Sequence, residues 1–145
     1  MKIALEEHFI TPELLSYCVN AMPKVSAEGK KRIIQRLSDF SDTRLSVMDQ
    51  AGIGFAVLSI SGPGVQAEVN PKKAIQLAKQ SNDFLAVEVK KNPTRFGGFA
   101  HLPMQCPESA ADELERCIKE LGFFGSMVNG HTNGVYLDHP QYDIF

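Results

Sequence analysis

Short apolar segments alternate with helical patterns along this chain, and that alternation restricts its fold more than any other feature. Lys2 to His8 reads as a strand. Thr11-Pro12-Glu13 follows as a helix start, with a capping residue, a proline at the first helical position and an acid in the first turn. The polar stretch from Met22 to Phe40 is expected to be helical around Lys30 to Leu37. Asp42 is placed to cap a helix through Leu45 and Met48, with Gly52 just past its end. Phe55 to Ile60 is a second strand, closed by the turn Ser61-Gly62-Pro63-Gly64. Asn70-Pro71 opens a long helix with Ala74, Ile75, Ala78, Leu85 and Val89 along one face. It stops at Asn92-Pro93, because a residue before proline avoids the helical region. Phe96 to Leu102 is a third strand, in which Gly97 and Gly98 suit close backbone packing. Pro107 opens a helix with Ala110, Leu114, Cys117, Ile118 and Leu121 as its apolar stripe and Gly122 as its cap. Gly125 to Asn129 is a fourth strand, and at Asp138-His139-Pro140 either Asp138 or His139 caps a further helix. The order β-α-β-α-β-α-β implies an α/β fold with a parallel sheet covered by helices. A closed barrel and an open doubly wound sheet share this pattern.

Composition narrows the function classes. The 145 residues are 43% hydrophobic and 22% charged, an ordinary globular balance. Fifteen basic against seventeen acidic residues leave a net charge of -2, with no positive field for nucleic acid or an anionic membrane. No apolar run approaches the roughly 18 residues of a membrane helix. Glu6 and Glu7 interrupt any signal-peptide core, and Cys18, Cys106 and Cys117 lack metal-type spacing. The expectation is a cytoplasmic protein with reduced thiols.

The chemistry-bearing motif is Glu6-Glu7-His8. Side chains alternate across a strand, so Ala4, Glu6 and His8 share one face and Ile3, Leu5 and Glu7 the other. Ile3 and Leu5 suit a helix-facing side, which would point Ala4, Glu6 and His8 into a barrel, with the polar pair at the C-terminal end of the strand. Barrel active sites sit at that end. A carboxylate and an imidazole at i and i+2 can ligate one divalent cation, Zn²⁺ or Mn²⁺; the same tripeptide is also a simple polar strand exit. Ser59 and Asn129 end strands where substrate contacts fall, and His131 lies just beyond. An amide such as that of Asn129 both donates to and accepts from a phenol or carboxylate. His101, ending the third strand, reads as a substrate contact or, more readily, as a hydrogen-bonded rim histidine.

Ala4-Leu5-Glu6-Glu7-His8-Phe9 resembles the start of the decarboxylase branch of the amidohydrolase-related family. The resemblance continues through Arg44 to Ile53, Val57 to Ser59, Pro63-Gly64, Asn82-Asp83, Pro93 to Pro103, Gly122-Phe123, Val128 to Gly130 and Tyr136 to Asp138. It implies a (β/α)8 barrel of about 250 residues or more, of which this chain holds about the first four βα units. Residues 1–145 would be the N-terminal half of one metal-dependent barrel domain. Within the resemblance Glu6 and His8 match a metal-ligand pair. The remaining ligands, a histidine and an aspartate, and the proton-transfer residues are expected beyond Phe145. The implied reaction is non-oxidative decarboxylation of a hydroxybenzoate-like acid, of the 2,3- or 2,6-dihydroxybenzoate type. Metal-dependent hydrolysis of an ester, lactone or amide is the second reading, and a non-catalytic half-barrel that associates with a partner is the third. Expected partners are a small aromatic carboxylate and either further copies in a homo-oligomer or a second chain carrying the missing half-barrel.

Overall fold

The computed structural model describes residues 1–22 and 24–145. Its spine is a parallel sheet in the order β1 (Lys2–Phe9), β2 (Ile53–Ile60) and β3 (Phe96–Gly98). The expected fourth strand is reduced to one parallel bridge between Ala100 and Ser126. Ala100 donates to the Gly125 carbonyl (2.8 Å) and Met127 to that of Ala100 (3.2 Å), so the segment still lies beside β3. Gly125, at φ 153°, holds a conformation closed to other residues and interrupts the ladder. Each strand thus neighbours the next in sequence. A doubly wound sheet would reverse its order beside the first strand, so this is the order of a singly wound barrel.

Helices cover one face. A 3-10 turn (Pro12–Leu14) leads into α1 (Leu15–Ala21), and Thr11 makes no side-chain cap bond there. Then come α2 (Ala27–Leu37), capped by Ser26, and α3 (Asp42–Ala51), ended by Gly52 in the left-handed region. Pro23, inside the stretch read from Met22, lies outside the described residues. At α3 the capping carboxylate is Asp39, not Asp42: it accepts from the N–H of Ser41 (3.0 Å) and Arg44 (2.8 Å). In α4 (Pro71–Lys91) Asn70 caps, and the buried stripe runs through Ala74, Leu77, Ala78, Asn82 and Leu85. In α5 (Pro107–Lys119) Ala110, Glu113 and Cys117 are buried, while Ile118 is exposed. A hairpin of β4 (His131–Thr132) and β5 (Val135–Tyr136) follows, turned by Asn133 and Gly134 at φ 51° and 84°. Of the two caps read at Asp138-His139-Pro140, His139 is the one used, and the element that it caps is the 3-10 turn Pro140–Tyr142.

The register of β1 against β2 corrects the alternation argument. Ala4 pairs with Ala56 and Glu7 with Leu58, so Leu5 and Glu6 together oppose Val57. This bulge inserts one extra residue and reverses the parity before it. Phe9, aligned with Ile60, packs on Phe40 (5.6 Å) and Phe84 (6.3 Å), which marks the Glu7–Phe9 side as the helix side. His8, aligned with Ser59, therefore faces the interior, and so do Leu5 and Glu6 at the bulge. Ala4 turns toward the helices instead, and Ile3 toward the interior with Phe55. Ile3 and Leu5 are 56% and 55% exposed there, and Phe124, packed against Phe55, is 64% exposed.

An interior face this apolar and this open favours association, and the free edge of β1 offers unpaired backbone groups. Such groups cost on the order of 1–3 kcal/mol each when buried unpaired, against a net stability of about 5–15 kcal/mol. Sedimentation of the 145-residue polypeptide should therefore give species larger than a monomer, and Leu5→Lys with Phe124→Lys should reduce them. A monomer with a sharp, cooperative unfolding transition at low concentration would contradict the half-barrel reading.

Candidate metal and substrate site

His8 is held at two points. Its carbonyl accepts from the Arg44 guanidinium at 2.6 Å, and its ring Nδ1 lies 3.0 Å from Ser59 Oγ. Arg44 also donates to the carbonyls of Asp39 (2.7 Å) and Arg36 (3.3 Å), and sits 3.8 Å from the Glu7 carboxylate. Burial lowers the Arg44 pKa, and the charges of Glu7 and Asp39 oppose that. Glu6 is exposed beside His8, in a groove of about 330 Å³ that runs along β1 and is also lined by Glu7, Arg36, Arg44 and Met48. Of the three polar residues in the motif, Glu7 is the one turned to the helix side. The donor set suits a divalent cation, because the carboxylate is open and Nε2 is the ring nitrogen not engaged by Ser59. Among the described residues no three His, Cys, Asp or Glu side chains converge as a complete site.

A second cleft, of about 510 Å³, lies at the C-terminal ends of the strands and is lined by Ala21, Gly62, Pro63, Gln66, Asn129 and His131. Asn129 spends its amide donors on the Pro63 carbonyl (3.1 Å) and on Gln66 Oε1 (3.0 Å), which leaves Oδ1 for a ligand. His131 is exposed on the hairpin, its ring 5.5 Å from that of Tyr136. The structure therefore gathers Gly62, Pro63, Asn129 and His131 at one cleft, and Glu6 with His8 along another. Ser59 is not in the cleft: it is 1% exposed and turned to His8, its partner in register. Sequence reasoning missed Gln66. Its Nε2 donates to Thr132 Oγ1 (2.7 Å) and its Oε1 accepts from the Asn129 N–H (2.7 Å), joining the loop after β2 to the hairpin. No local pattern marks a lone glutamine for that role.

His101 lies beneath the same loop as a structural group, as its rim position suggested. The Val65 N–H donates to its Nε2 at 2.7 Å, and its own N–H donates to Asn82 Oδ1 at 2.8 Å. Asn82 in turn donates to the His101 carbonyl (3.0 Å) and to Glu113 Oε1 (2.8 Å). Burial alone would raise the Glu113 pKa, but bonds from Arg116 and Asn82 hold it below the ordinary value. Arg116 also binds Asp83 at 2.8 Å, so a polar chain runs from α5 through α4 to the loop.

Sequential parallel strands, with the fourth segment beside β3, define a (β/α)-barrel protein. The family model described as amidohydrolase matches residues 8–145, and the chain belongs to that family. It is 47% identical over 147 residues to the gamma-resorcylate decarboxylase of a Polaromonas species, an alignment covering 97% of this chain and 44% of that protein. A crystal structure of 2,6-dihydroxybenzoate decarboxylase complexed with 2,6-dihydroxybenzoate superposes with a TM-score of 0.90 at 44% identity, over 97% of this chain and 44% of that one. The dihydroxybenzoic acid decarboxylase from Polaromonas, solved with bound manganese and the inhibitor 2-nitroresorcinol, gives 0.89 at 47% identity, over 97% and 43%. The chain thus spans less than half the length of these relatives. Among its described residues no helix is long and apolar enough to cross a membrane.

His101 gives the site a pH signature. Its ring pKa is pushed down from 6.5 to about 4, mainly by burial, with the Met127 backbone acting the other way. The unfolded chain takes up this proton near pH 6.5 and the folded one only near pH 4, so the stability is complete above the first value and is lost as pH falls toward the second. The loss should reach about 3 kcal/mol. Denaturant midpoints of the full-length chain measured from pH 7 to 4.5 should fall less steeply in His101→Gln, which keeps an acceptor for Val65 but does not titrate. Parallel slopes would mean that His101 is not the group responsible.

Proposed function

We propose that this chain supplies the N-terminal half of a metal-dependent barrel domain that decarboxylates a dihydroxybenzoate-like acid without oxidation. The observation that carries the reading is the placement of Glu6 and His8. Both stand on the interior side at the C-terminal end of β1, with His8 anchored through its carbonyl and its Nδ1, so that Nε2 is the ring nitrogen not engaged by Ser59. Glu6 and His8 are the proposed ligands of the cation, Mn²⁺ or Zn²⁺. A divalent cation there would supply Lewis acidity to a carboxylate and its ortho hydroxyl. Asn129 Oδ1 and the His131 ring are the proposed contacts for the phenol or carboxylate of a single aromatic ring in the cleft that they line. The remaining ligands and the proton donor belong to the second half of the barrel. The exposed Ile3, Leu5 and Phe124 mark where that half packs, whether in the same chain or a separate one. A cytoplasmic homo-oligomer is the setting we infer.

In the full-length chain, Glu6→Ala and His8→Ala should each lower metal affinity at least about tenfold, with activity falling in step, and Glu7→Ala should do far less. Metal content by mass spectrometry reads this directly, and equal losses from all three substitutions would defeat the assignment. The substrate class is checked by assaying CO₂ release from hydroxybenzoates beside turnover of simple lactones and esters. Turnover of only the latter would replace the decarboxylase reading with the hydrolase one.

A further inference from the structure

We propose that Ser59 is the positioning residue for His8: its hydroxyl fixes the ring orientation and tautomer, so that Nε2 alone is presented to the barrel interior. The inference rests on the metal reading above for its catalytic consequence, and on the geometry for the rest. Ser59 Oγ lies 3.0 Å from His8 Nδ1, and the two residues are direct partners in the parallel register of β1 and β2. Ser59 is 1% exposed, so neither water nor a ligand competes for its hydroxyl from solvent. The main chain beneath the ring is fixed as well, because Arg44 donates to the His8 carbonyl at 2.6 Å. With backbone and Nδ1 both engaged, the imidazole has one nitrogen left. Coordination through Nε2 requires the proton to reside on Nδ1; the Ser59 oxygen accepts from Nδ1–H in that tautomer, and its hydroxyl donates to Nδ1 in the other. An alanine at 59 would leave a ring free to turn and to place its proton on either nitrogen.

Outer partners of this kind typically change metal affinity by about 10–100-fold when removed. In the full-length chain, Ser59→Ala should therefore weaken Mn²⁺ and Zn²⁺ binding by about that factor in a chelator competition, while Ser59→Thr, which keeps the hydroxyl, should stay close to wild type. Far-ultraviolet circular dichroism and unfolding midpoints check that both variants fold. A second readout needs no metal. Long-range ¹H–¹⁵N spectra of ¹⁵N-histidine-labelled, metal-free protein should show His8 as a single ring tautomer in wild type and as a mixture in Ser59→Ala. Wild-type affinity in Ser59→Ala, or the same tautomer populations in both proteins, overturns the proposal. A loss of the single tautomer in Ser59→Ala, together with unchanged metal binding in His8→Ala, would keep Ser59 as the ring's partner and reject the metal reading instead.

Discussion

The Arg44 guanidinium stands where three segments meet and donates to a carbonyl of each: His8 at the end of β1, Arg36 near the end of α2 and Asp39 before α3. Strand ends, helix ends and connections leave backbone groups to be satisfied, and here one side chain serves a carbonyl at each. The planar guanidinium spreads its donors over separate nitrogens to reach all three, where a lysine would present every donor from one atom. It also lies over the Phe40 ring at 5.7 Å, so its stem and its charge are both used. Burying that charge is costly, and the Glu7 and Asp39 carboxylates offset part of the cost. The same Asp39 carboxylate caps α3 by accepting the Arg44 backbone N–H, so this pair of residues sets the helix start and the position of His8 together.

The bulge at Leu5 and Glu6 works on the same strand. In a regular strand Glu6 and His8 would share a face, and so would Ala4; the extra residue keeps the first two inward and turns Ala4 outward. Bulges bend a strand and re-aim side chains, and they concentrate at barrel rims and beside active sites. Here the consequence is that Ile3 and Leu5 also face the interior, extending its apolar side below the polar pair. Apolar filling low in the barrel and polar groups at its upper rim is the division of labour expected of this architecture.

Much of this could be read from residues. The Asn70 cap, the Pro107 start, the Gly52 stop and the alternation of strands and helices all follow from local chemistry that tertiary packing did not override. The inward placement of Glu6 and His8 also agreed, although by a different route: simple alternation put Ile3 and Leu5 on the wrong face, because nothing in Ala4-Leu5-Glu6-Glu7 announces an extra residue. The hairpin was legible and passed over, since Asn133-Gly134 is the strongest short turn signal a sequence offers. Ser59 was assigned from its position at a strand end, which fixes a residue's height in the barrel but not what its side chain touches. Gln66, Arg44 and Asn82 act over separations of 63, 36 and 19 residues, and no window along the chain spans such pairings.

The turn after β2 shows how a local signal and a long-range one can coincide in a single residue. Gly64 has φ 56°, which alone favours glycine. A side chain there would also collide with His101 Nε2 and Cε1. That imidazole accepts the Val65 N–H, and Gln105 donates to the Val65 carbonyl at 2.7 Å, so both backbone groups of Val65 are claimed from the next layer. One residue on, Gln66 fastens the hairpin that carries His131. A loop whose backbone is satisfied in this way is ordered by buried partners rather than by solvent. The glycine that reads as turn punctuation in the sequence is therefore also the clearance that lets His101 reach the loop, and the position of the cleft depends on that contact.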